Sequence, residues 1–170
     1  PEVTDQKSTR QLQVLVDVHH AMAESVTPKE LLDRVLDRVF AHLKPQNGAI
    51  FLVEDDALVR VADRSSSAAG DEFPESKSLA GEVIDKGLAA MVYDTSTDDR
   101  FIRAESLLSA GVRSLVAAPL LTRRGSLGMI VLSSNVIERE FREPDMELLV
   151  IIASAIGLRM RNLALAEEAA

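Results

Sequence analysis

The segment Ser114–Ser133, which reads SLVAAPLLTRRGSLGMIVLS, constrains the fold of this chain more than any other. Two apolar runs flank the basic turn Arg123-Arg124, and neither run alternates apolar with polar side chains. Strands that are apolar throughout have to be covered on both faces, and the short turn between them makes the pair antiparallel. The segment therefore predicts an α+β fold of three layers, with helices on both sides of an antiparallel sheet.

The same hairpin contains small side chains and one proline. Ala117, Ala118 and Gly128 lie on strands that are predicted to be covered from both sides. Their size leaves two interpretations open: they provide volume for a ligand, or they allow helices to approach the sheet closely. Pro119 has no amide hydrogen to give to a sheet, so it predicts either a β-bulge or a position whose amide points outward.

Composition limits the classes of function. The 170 residues suffice for one domain with a sizeable core, and the net charge of −8 disfavours a nucleic-acid partner. The chain has no cysteine, which excludes disulfides, thiolate nucleophiles and cysteine metal ligands. No apolar run reaches the roughly 18 residues that span a bilayer. We therefore expect one cytoplasmic domain, 1–170, without membrane contact.

Three long helices are predicted at the ends of the chain. A capping-box spacing at Ser8 predicts a helix over 8–25, and Thr27, followed by a proline, predicts the start of a helix over 27–44. The last helix is predicted over 143–167, because apolar residues recur there at steps of three and four. The predicted apolar stripes of the terminal helices are Leu12, Leu15, His19, Met22 and Val26 on the first and Met146, Leu149, Ala153, Ile156, Met160 and Leu163 on the last.

The sheet and the short helices that cover it are predicted over 48–134. Apolar runs at 49–53 and 58–62 predict a first hairpin, and the run at 89–93 predicts a further strand. The predicted connections are a long loop over 63–77, a short helix from Ser78 to Gly87 and a helix that ends at Gly111.

The order of these elements, together with several local motifs, resembles a GAF domain over nearly the whole chain. The motifs are Ser78-Leu-Ala-Gly81-Glu-Val83, Asp94 through Phe101, Ser114-Leu-Val-Ala-Ala-Pro119-Leu, Leu127-Gly128-Met-Ile-Val-Leu132 and Phe141-x-x-x-Asp145-x-x-Leu148-Leu149. The resemblance implies an antiparallel sheet of five or six strands. It places the terminal helices on one face and short helices and loops over a small-molecule pocket on the other.

The same resemblance implies a sensory or regulatory role within signalling proteins. It also implies a homodimer, and it leads us to expect an effector domain outside this chain. We expect the terminal helices to relay a conformational change to that effector. Two alternatives stay open, namely a dimerisation domain with no ligand and an enzyme that uses carboxylates.

The expected ligand contacts begin at the end of the predicted strand 89–93. Arg100 follows two aspartates at a predicted helix start, where free amides favour an anion; alternatively Asp98 or Asp99 caps that helix and Arg100 pairs with Asp94. Tyr93 offers a stacking surface and a hydroxyl, although a tyrosine at a strand end also suits a core. The complete set of candidate ligand-binding residues is Tyr93, Asp94, Asp99, Arg100, Ala117 and Ala118.

More specific chemistry is disfavoured. Cyclic-nucleotide-binding GAF domains carry an Asn-Lys and Phe-x-x-x-Asp-Glu motif, and Asn135, Phe141 and Asp145 fit its spacing. However, Val136 replaces the lysine and Met146 replaces the glutamate, so a cyclic-nucleotide-binding GAF domain stays open as an alternative that the sequence disfavours.

Catalytic and cofactor-binding members of the family are disfavoured as well. Those that reduce methionine sulfoxide or attach bilins use cysteines, which this chain lacks. His19, His20 and His42 lie on the first two predicted helices, away from the expected pocket. We therefore expect no catalysis, no metal and no cofactor.

The terminal helices carry more apolar residues than one sheet face can cover. The residues outside the predicted stripes are Val14, Val16 and Val18 on the first helix and Val150, Ile151, Ile152 and Leu158 on the last. This excess predicts a parallel homodimer in which both helices form a bundle about a two-fold axis, with His19 near the seam. The alternative is that both stripes are buried within one chain.

Overall fold

A computed structural model describes residues 2–66, 77–92, 114–134 and 141–169. The elements in chain order are α1 (Glu2–Ala23), α2 (Pro28–Leu43), β1 (Asn47–Glu54), β2 (Ala57–Ser65), α3 (Lys77–Ala80), a π-helical turn (Gly81–Asp85), β3 (Ala90–Val92), β4 (Ser114–Thr122), β5 (Gly125–Ser134) and α4 (Glu143–Ala169). Within these ranges the five strands form one sheet in the order β2-β1-β5-β4-β3, and every neighbouring pair is antiparallel. The predicted α+β fold with an antiparallel sheet is confirmed.

One face of the sheet, which we call the helical face, packs against α1, α2 and α4. The strands contribute Ile50, Ala62, Val116, Ala118, Leu120, Ile130 and Leu132 to this core. The helices contribute Val14, Val18, Met22, Leu31, Leu32, Val35, Leu36, Val39, Leu148, Leu149, Ile152, Ala153, Ile156 and Leu163. Nearly all of these side chains are fully buried, which supplies the main hydrophobic driving force for the fold.

Gly128 and Pro119 have structural explanations in the central hairpin. A β-carbon on Gly128 would lie 1.9 Å from the carbonyl oxygen of Phe51, so this position holds a glycine because β1 and β5 approach closely there. Pro119 lies where the pairing of β4 with β5 shifts register, between Pro119 and Leu121. This interruption of the pairing agrees with one of the two alternatives predicted for Pro119, a β-bulge.

The predicted start and orientation of the first helix were wrong. Helix α1 already begins at Glu2, so Ser8 lies inside it rather than at its cap. The side chains that it buries are Val14, Val18, Ala21 and Met22, of which only Met22 belongs to the predicted stripe, whereas Leu12 of that stripe is 62% exposed. Periodicity alone fits either stripe, and the contacts of α1 with α2 and α4 select the valine stripe.

The predictions for α2 and α4 agree more closely with the structure. Thr27 caps α2, with its hydroxyl accepting a hydrogen bond from the Glu30 amide at 3.2 Å. In α4, Asp145 accepts one from the Arg142 amide at 2.9 Å, and the predicted stripe from Leu149 to Leu163 faces the core. Ile152 was predicted to lie outside that stripe, but it is 1% exposed and belongs to the core.

Candidate functional site

The opposite side of the sheet, which we call the second face, carries its own small core. Because side chains alternate along a strand, residues next in sequence to those of the helical core point to this side. The buried members are Ala49, Phe51, Leu79, Val83, Ala90, Val92, Leu115, Ala117, Met129 and Val131. The strand residues of the second face form three rows across the sheet, which differ in chemistry.

The first row is polar on β2, β1 and β5 and continues through Leu115 of β4 to Val92 of β3. Asn47 at the start of β1 pairs with Ser65 on one side and with Ser133 on the other. Asn47 is 8% exposed and Ser133 is fully buried. The Asn47 Oδ1 and Ser133 Oγ atoms are buried without a hydrogen-bond partner in the described structure. Buried polar groups normally have partners, so two neighbouring exceptions make this row a candidate position for a bound water or a polar ligand group.

The second row consists of small apolar side chains. Ala49 pairs with Val131, Val131 with Ala117, and Ala117 with Ala90. Asp63 occupies the end of this row on the edge strand β2, opposite Ala49. Because three of the side chains in this row are alanines, the row extends less far above the sheet than a row of large side chains would.

The third row contains an arginine on an aromatic ring. Arg60 pairs with Phe51 across β2 and β1, and its guanidinium carbon lies 5.7 Å from the ring centroid. The Arg60 side chain is 26% exposed, and its nitrogen Nη1 lies 3.8 Å from Oδ2 of Asp63, whose side chain is 61% exposed. A long ion pair with an exposed carboxylate is screened by water, so Asp63 holds the guanidinium weakly.

The described cover of the second face is α3 with the π-helical turn that continues it. Leu79 and Val83 are the buried side chains of this segment and pack into the second-face core. Lys86 Nζ donates to Glu82 Oε1 at 3.0 Å, and Gly87 has a φ of 67° as the segment ends. The helical segment therefore ends at Asp85, close to the predicted end at Gly87, but it begins at Lys77, so Ser78 lies inside it rather than at its cap. π-Helical turns occur frequently at functional sites.

The structure separates the two alanines that were predicted to line one ligand site. Ala117 lies in the middle row of the second face, whereas Ala118 lies in the helical core with Ala153 of α4. Consecutive strand residues point to opposite sides of a sheet, so only Ala117 has access to the second face. The other four candidates, Tyr93, Asp94, Asp99 and Arg100, lie outside the described residues.

The residues that fit a cyclic-nucleotide motif have structural roles where they are described. Phe141 is 3% exposed in the helical core, and Asp145 bonds the amide of Arg142 at the start of α4. Asn135 lies outside the described residues.

The histidines lie on the helical side of the molecule. His19 and His20 are exposed on α1, and His42 Nε2 lies 2.7 Å from Asp17 Oδ2, a contact that joins α2 to α1. In the described segments there is no cluster of three histidine or acidic side chains that suits a metal ion. Nor is any described helix long and apolar enough to span a membrane.

Sequence reasoning missed Asn47, Ser133 and Arg60. The alternation rule was a usable signal for Asn47, because it lies two residues before Ala49 and therefore on the same face. Arg60 was harder to place because the pairing of β1 with β2 shifts register. Ile50 pairs with Ala62, but the next residue of β1, Phe51, pairs with Arg60. A sequence does not reveal such a bulge.

Comparison with known proteins gives one consistent result. A family model described as GAF domain matches residues 27–160. The Nif-specific regulatory protein of Azospirillum lipoferum is 24% identical over 173 residues, which is 95% of this chain but 28% of that protein's length. This chain therefore spans less than a third of the relative.

Solved structures give the same picture of the fold. The GAF domain of the Acinetobacter phosphoenolpyruvate-protein phosphotransferase superposes with a TM-score of 0.74 at 18% identity, covering 93% of this chain and 97% of that one. The GAF domain of A. aeolicus nlh2, solved in an inactive state, gives 0.70 at 16% identity, covering 92% and 98%.

Proposed function

The chain belongs to the GAF domain family, and from this membership we propose that it is a sensory or regulatory module of a cytoplasmic signal-transduction protein. In this proposal it binds a small molecule on the second face and relays binding through its terminal helices to an effector elsewhere in the protein. It has no catalytic role. The regulatory character of the Azospirillum relative is consistent with the proposal.

The observation that carries the ligand proposal is the pair Asn47 and Ser133. Both present a buried oxygen without a partner in the described structure, next to each other on the second face. An unmet buried hydrogen-bonding group costs free energy. A ligand that bonds to this pair removes that cost, which favours the bound state.

In this proposal, the effect of ligand binding passes through strand β4, from the second face of the sheet to helix α4 on the helical face. Ala117 faces the second face, and the next residue, Ala118, lies under α4. Helix α4 contacts β4 along its length, and a β-carbon on Gly157 would lie 2.5 Å from the Leu121 carbonyl oxygen. Packing this close leaves little slack, so a shift of β4 is expected to move α4.

The terminal helices would associate with those of a second copy. The exposed residues Leu12, Val16 and His19 of α1 follow steps of four and three, and on α4 the exposed Ile151, the half-buried Ser154 and the exposed Leu158 follow steps of three and four. This spacing is typical of helix bundles. A groove of about 320 Å³ between α1 and α4 is lined by both helices, including His19 and Leu158. Dimerisation without any ligand is the second candidate function, and these exposed residues support it.

A thermal-shift screen of the wild type against metabolites tests the ligand proposal, because a ligand of the folded state raises the melting temperature. Each hit is repeated with Asn47→Ala, which removes one of the two unpartnered oxygens of the second face. We expect the shift to be lost in this variant. A wild type that dimerises but responds to no compound would favour the dimerisation function instead.

A further inference from the structure

A cavity of about 360 Å³ lies on the helical side of the molecule, where α1, the end of α2 and the start of α4 meet. Its apolar wall consists of Val14, Leu43 and Leu148, of which Val14 and Leu148 belong to the helical core. The sheet separates this cavity from the second face, because α1, α2 and α4 all pack on the helical face. Small-molecule sites have volumes of about 300–1,000 Å³. The cavity is therefore large enough for a small metabolite.

Two cations line this cavity without a carboxylate partner. They are Arg10 of α1 and Lys44, which follows the last residue of α2, and both are exposed to solvent. Neither side chain forms an ion pair or a hydrogen bond with any side chain that the structure describes. The chain as a whole has a net charge of −8, so two unpaired cations at one cavity are a local exception. Their charges are available to an anion from solution.

The backbone at Lys44 gives a second reason to look for a role of its charge. Lys44 has φ 51° and ψ 49°, a left-handed conformation, and its amide donates to the Phe40 carbonyl oxygen at 3.1 Å. Glycine or asparagine usually occupies such a helix end, because the left-handed conformation strains other side chains. Within the described structure the Lys44 side chain makes no contact that stabilises the fold in return. This favours a function for the ammonium group.

The acidic side chains near the cavity already have partners. Asp17 Oδ2 lies 2.7 Å from His42 Nε2, in the contact that joins α1 to α2. Asp145 Oδ2 accepts a hydrogen bond from the Arg142 amide at 2.9 Å, at the start of α4. Both carboxylates are held in these positions, so neither pairs with the two unpaired cations.

We propose that this cavity is a second binding site, separate from the second face, and that its ligand is a small organic anion. The carboxylate or phosphate group of the ligand binds to Arg10 and Lys44, and its apolar part contacts the apolar wall. A guanidinium binds either group through paired hydrogen bonds, and an ammonium group adds a point charge. Because α1 and α4 both line the cavity, a bound anion links the two terminal helices.

The first experiment titrates the wild type with matched compounds and follows the amide NMR signals, which report weak affinities and also locate the site. One arm compares short-chain carboxylates with their amides, and the other compares short-chain alkyl phosphates with their alcohols. We expect the charged member of at least one pair to bind about tenfold more tightly than the neutral member, since hydrogen bonds to charged groups are stronger than neutral ones. The arm that shows the preference identifies the anionic group.

The positions of the shifted signals separate the two sites. We expect the largest changes at Gln11, Lys44 and Leu148, which line the cavity on three different helical segments. Inorganic phosphate should shift the same signals but bind more weakly than the alkyl phosphates, because it does not reach the apolar wall. Shifts confined to the second face, or inorganic phosphate bound as tightly as the organic anions, would overturn the proposal.

Three variants test the assignment of the cations. Arg10→Gln and Lys44→Asn should each weaken binding of the charged member about tenfold and leave the neutral member unaffected. Asparagine tolerates the left-handed conformation, so the second variant keeps the helix end. The control is Lys29→Gln, which removes an exposed charge at the opposite end of α2 and should keep the wild-type preference.

Asn47→Ala, which alters only the second face, should leave binding of the anion unchanged. An equal affinity for charged and neutral members, a preference that survives both Arg10→Gln and Lys44→Asn, or binding of no compound in either arm would overturn this second site. None of these results would decide whether a ligand binds on the second face, which the thermal-shift screen tests separately.

Discussion

A β-carbon on Gly157 of α4 would lie 2.5 Å from the carbonyl oxygen of Leu121, at the end of β4. Gly157→Ala must therefore push the helix away from the sheet. We expect it to lower the free energy of unfolding by about 1–3 kcal/mol, the usual cost of overpacking, as measured by urea denaturation.

Gly81→Ala is the control for this substitution. Gly81 is also helical, but a β-carbon at this position would have 4.0 Å of separation from the nearest atom, Oδ2 of Asp85. This variant should be as stable as the wild type or more so. Equal stability of the two alanine variants would show that α4 adjusts its position at no cost.

The proposed dimer depends on Val16 and Ile151, which are 55% and 51% exposed on α1 and α4. Glutamate at both positions should convert the dimer to monomers without loss of folding, as measured by light scattering at micromolar concentration and by circular dichroism. The control is Val53→Glu, since Val53 is 41% exposed on β1, away from both helices. A monomeric wild type, or a double variant that remains dimeric, would rule out this interface. Ile152 is unsuitable as a probe because a charge at this buried position would unfold the chain.

Ser133 and Ser114 allow a comparison across the sheet. Both hydroxyls are buried without a partner in the described structure, but Ser133 lies on the second face and Ser114 shares the helical face with Val116. Alanine at either position should raise the free energy of unfolding by up to about 1 kcal/mol, because an unmet polar group is removed. Only Ser133→Ala should weaken a ligand found in the thermal-shift screen. A loss of stability in both variants would mean that the hydroxyls are satisfied in solution.

The cap of α2 provides a test of local structure. Thr27→Ala removes the hydroxyl that accepts the Glu30 amide and should cost about 1 kcal/mol of folding free energy. Thr27→Ser keeps the hydroxyl and should retain most of the stability. Urea denaturation of the two variants measures the difference, and identical midpoints would show that water replaces the cap.

The sequence was sufficient to predict the layers of the fold but not the faces within them. The uniformly apolar strands around Ala117 and Ala118 required cover on both sides, and the structure has it. The partition of those two alanines between opposite faces follows from strand alternation. Helix α1 shows a different limit, since Val14 and Val16 satisfy helical periodicity equally and only tertiary packing buries the first.

The candidate site was harder to predict than the fold for a physical reason. A ligand-binding residue is recognised by what surrounds it, and Asn47, Ser133 and Arg60 come from three strands that are separate in sequence. Each is ordinary in isolation. Their significance depends on strand register, on a bulge in β2 and on buried oxygens without partners in the described structure, all of which are properties of the assembled sheet.

The strand order also has a kinetic consequence. The hairpins β1-β2 and β4-β5 each close through a short turn, but β1 pairs with β5, so Leu52 meets Gly128 across a long stretch of the chain. Pairing of strands that are distant in sequence requires a long loop to close, with its loss of entropy, before the stabilising contacts form, and this slows folding. Asn47 and Ser133 pair with each other across this same contact between β1 and β5. The proposed sensing site would therefore be assembled only when the two halves of the domain have joined, and an incompletely folded chain would be unable to respond to its signal.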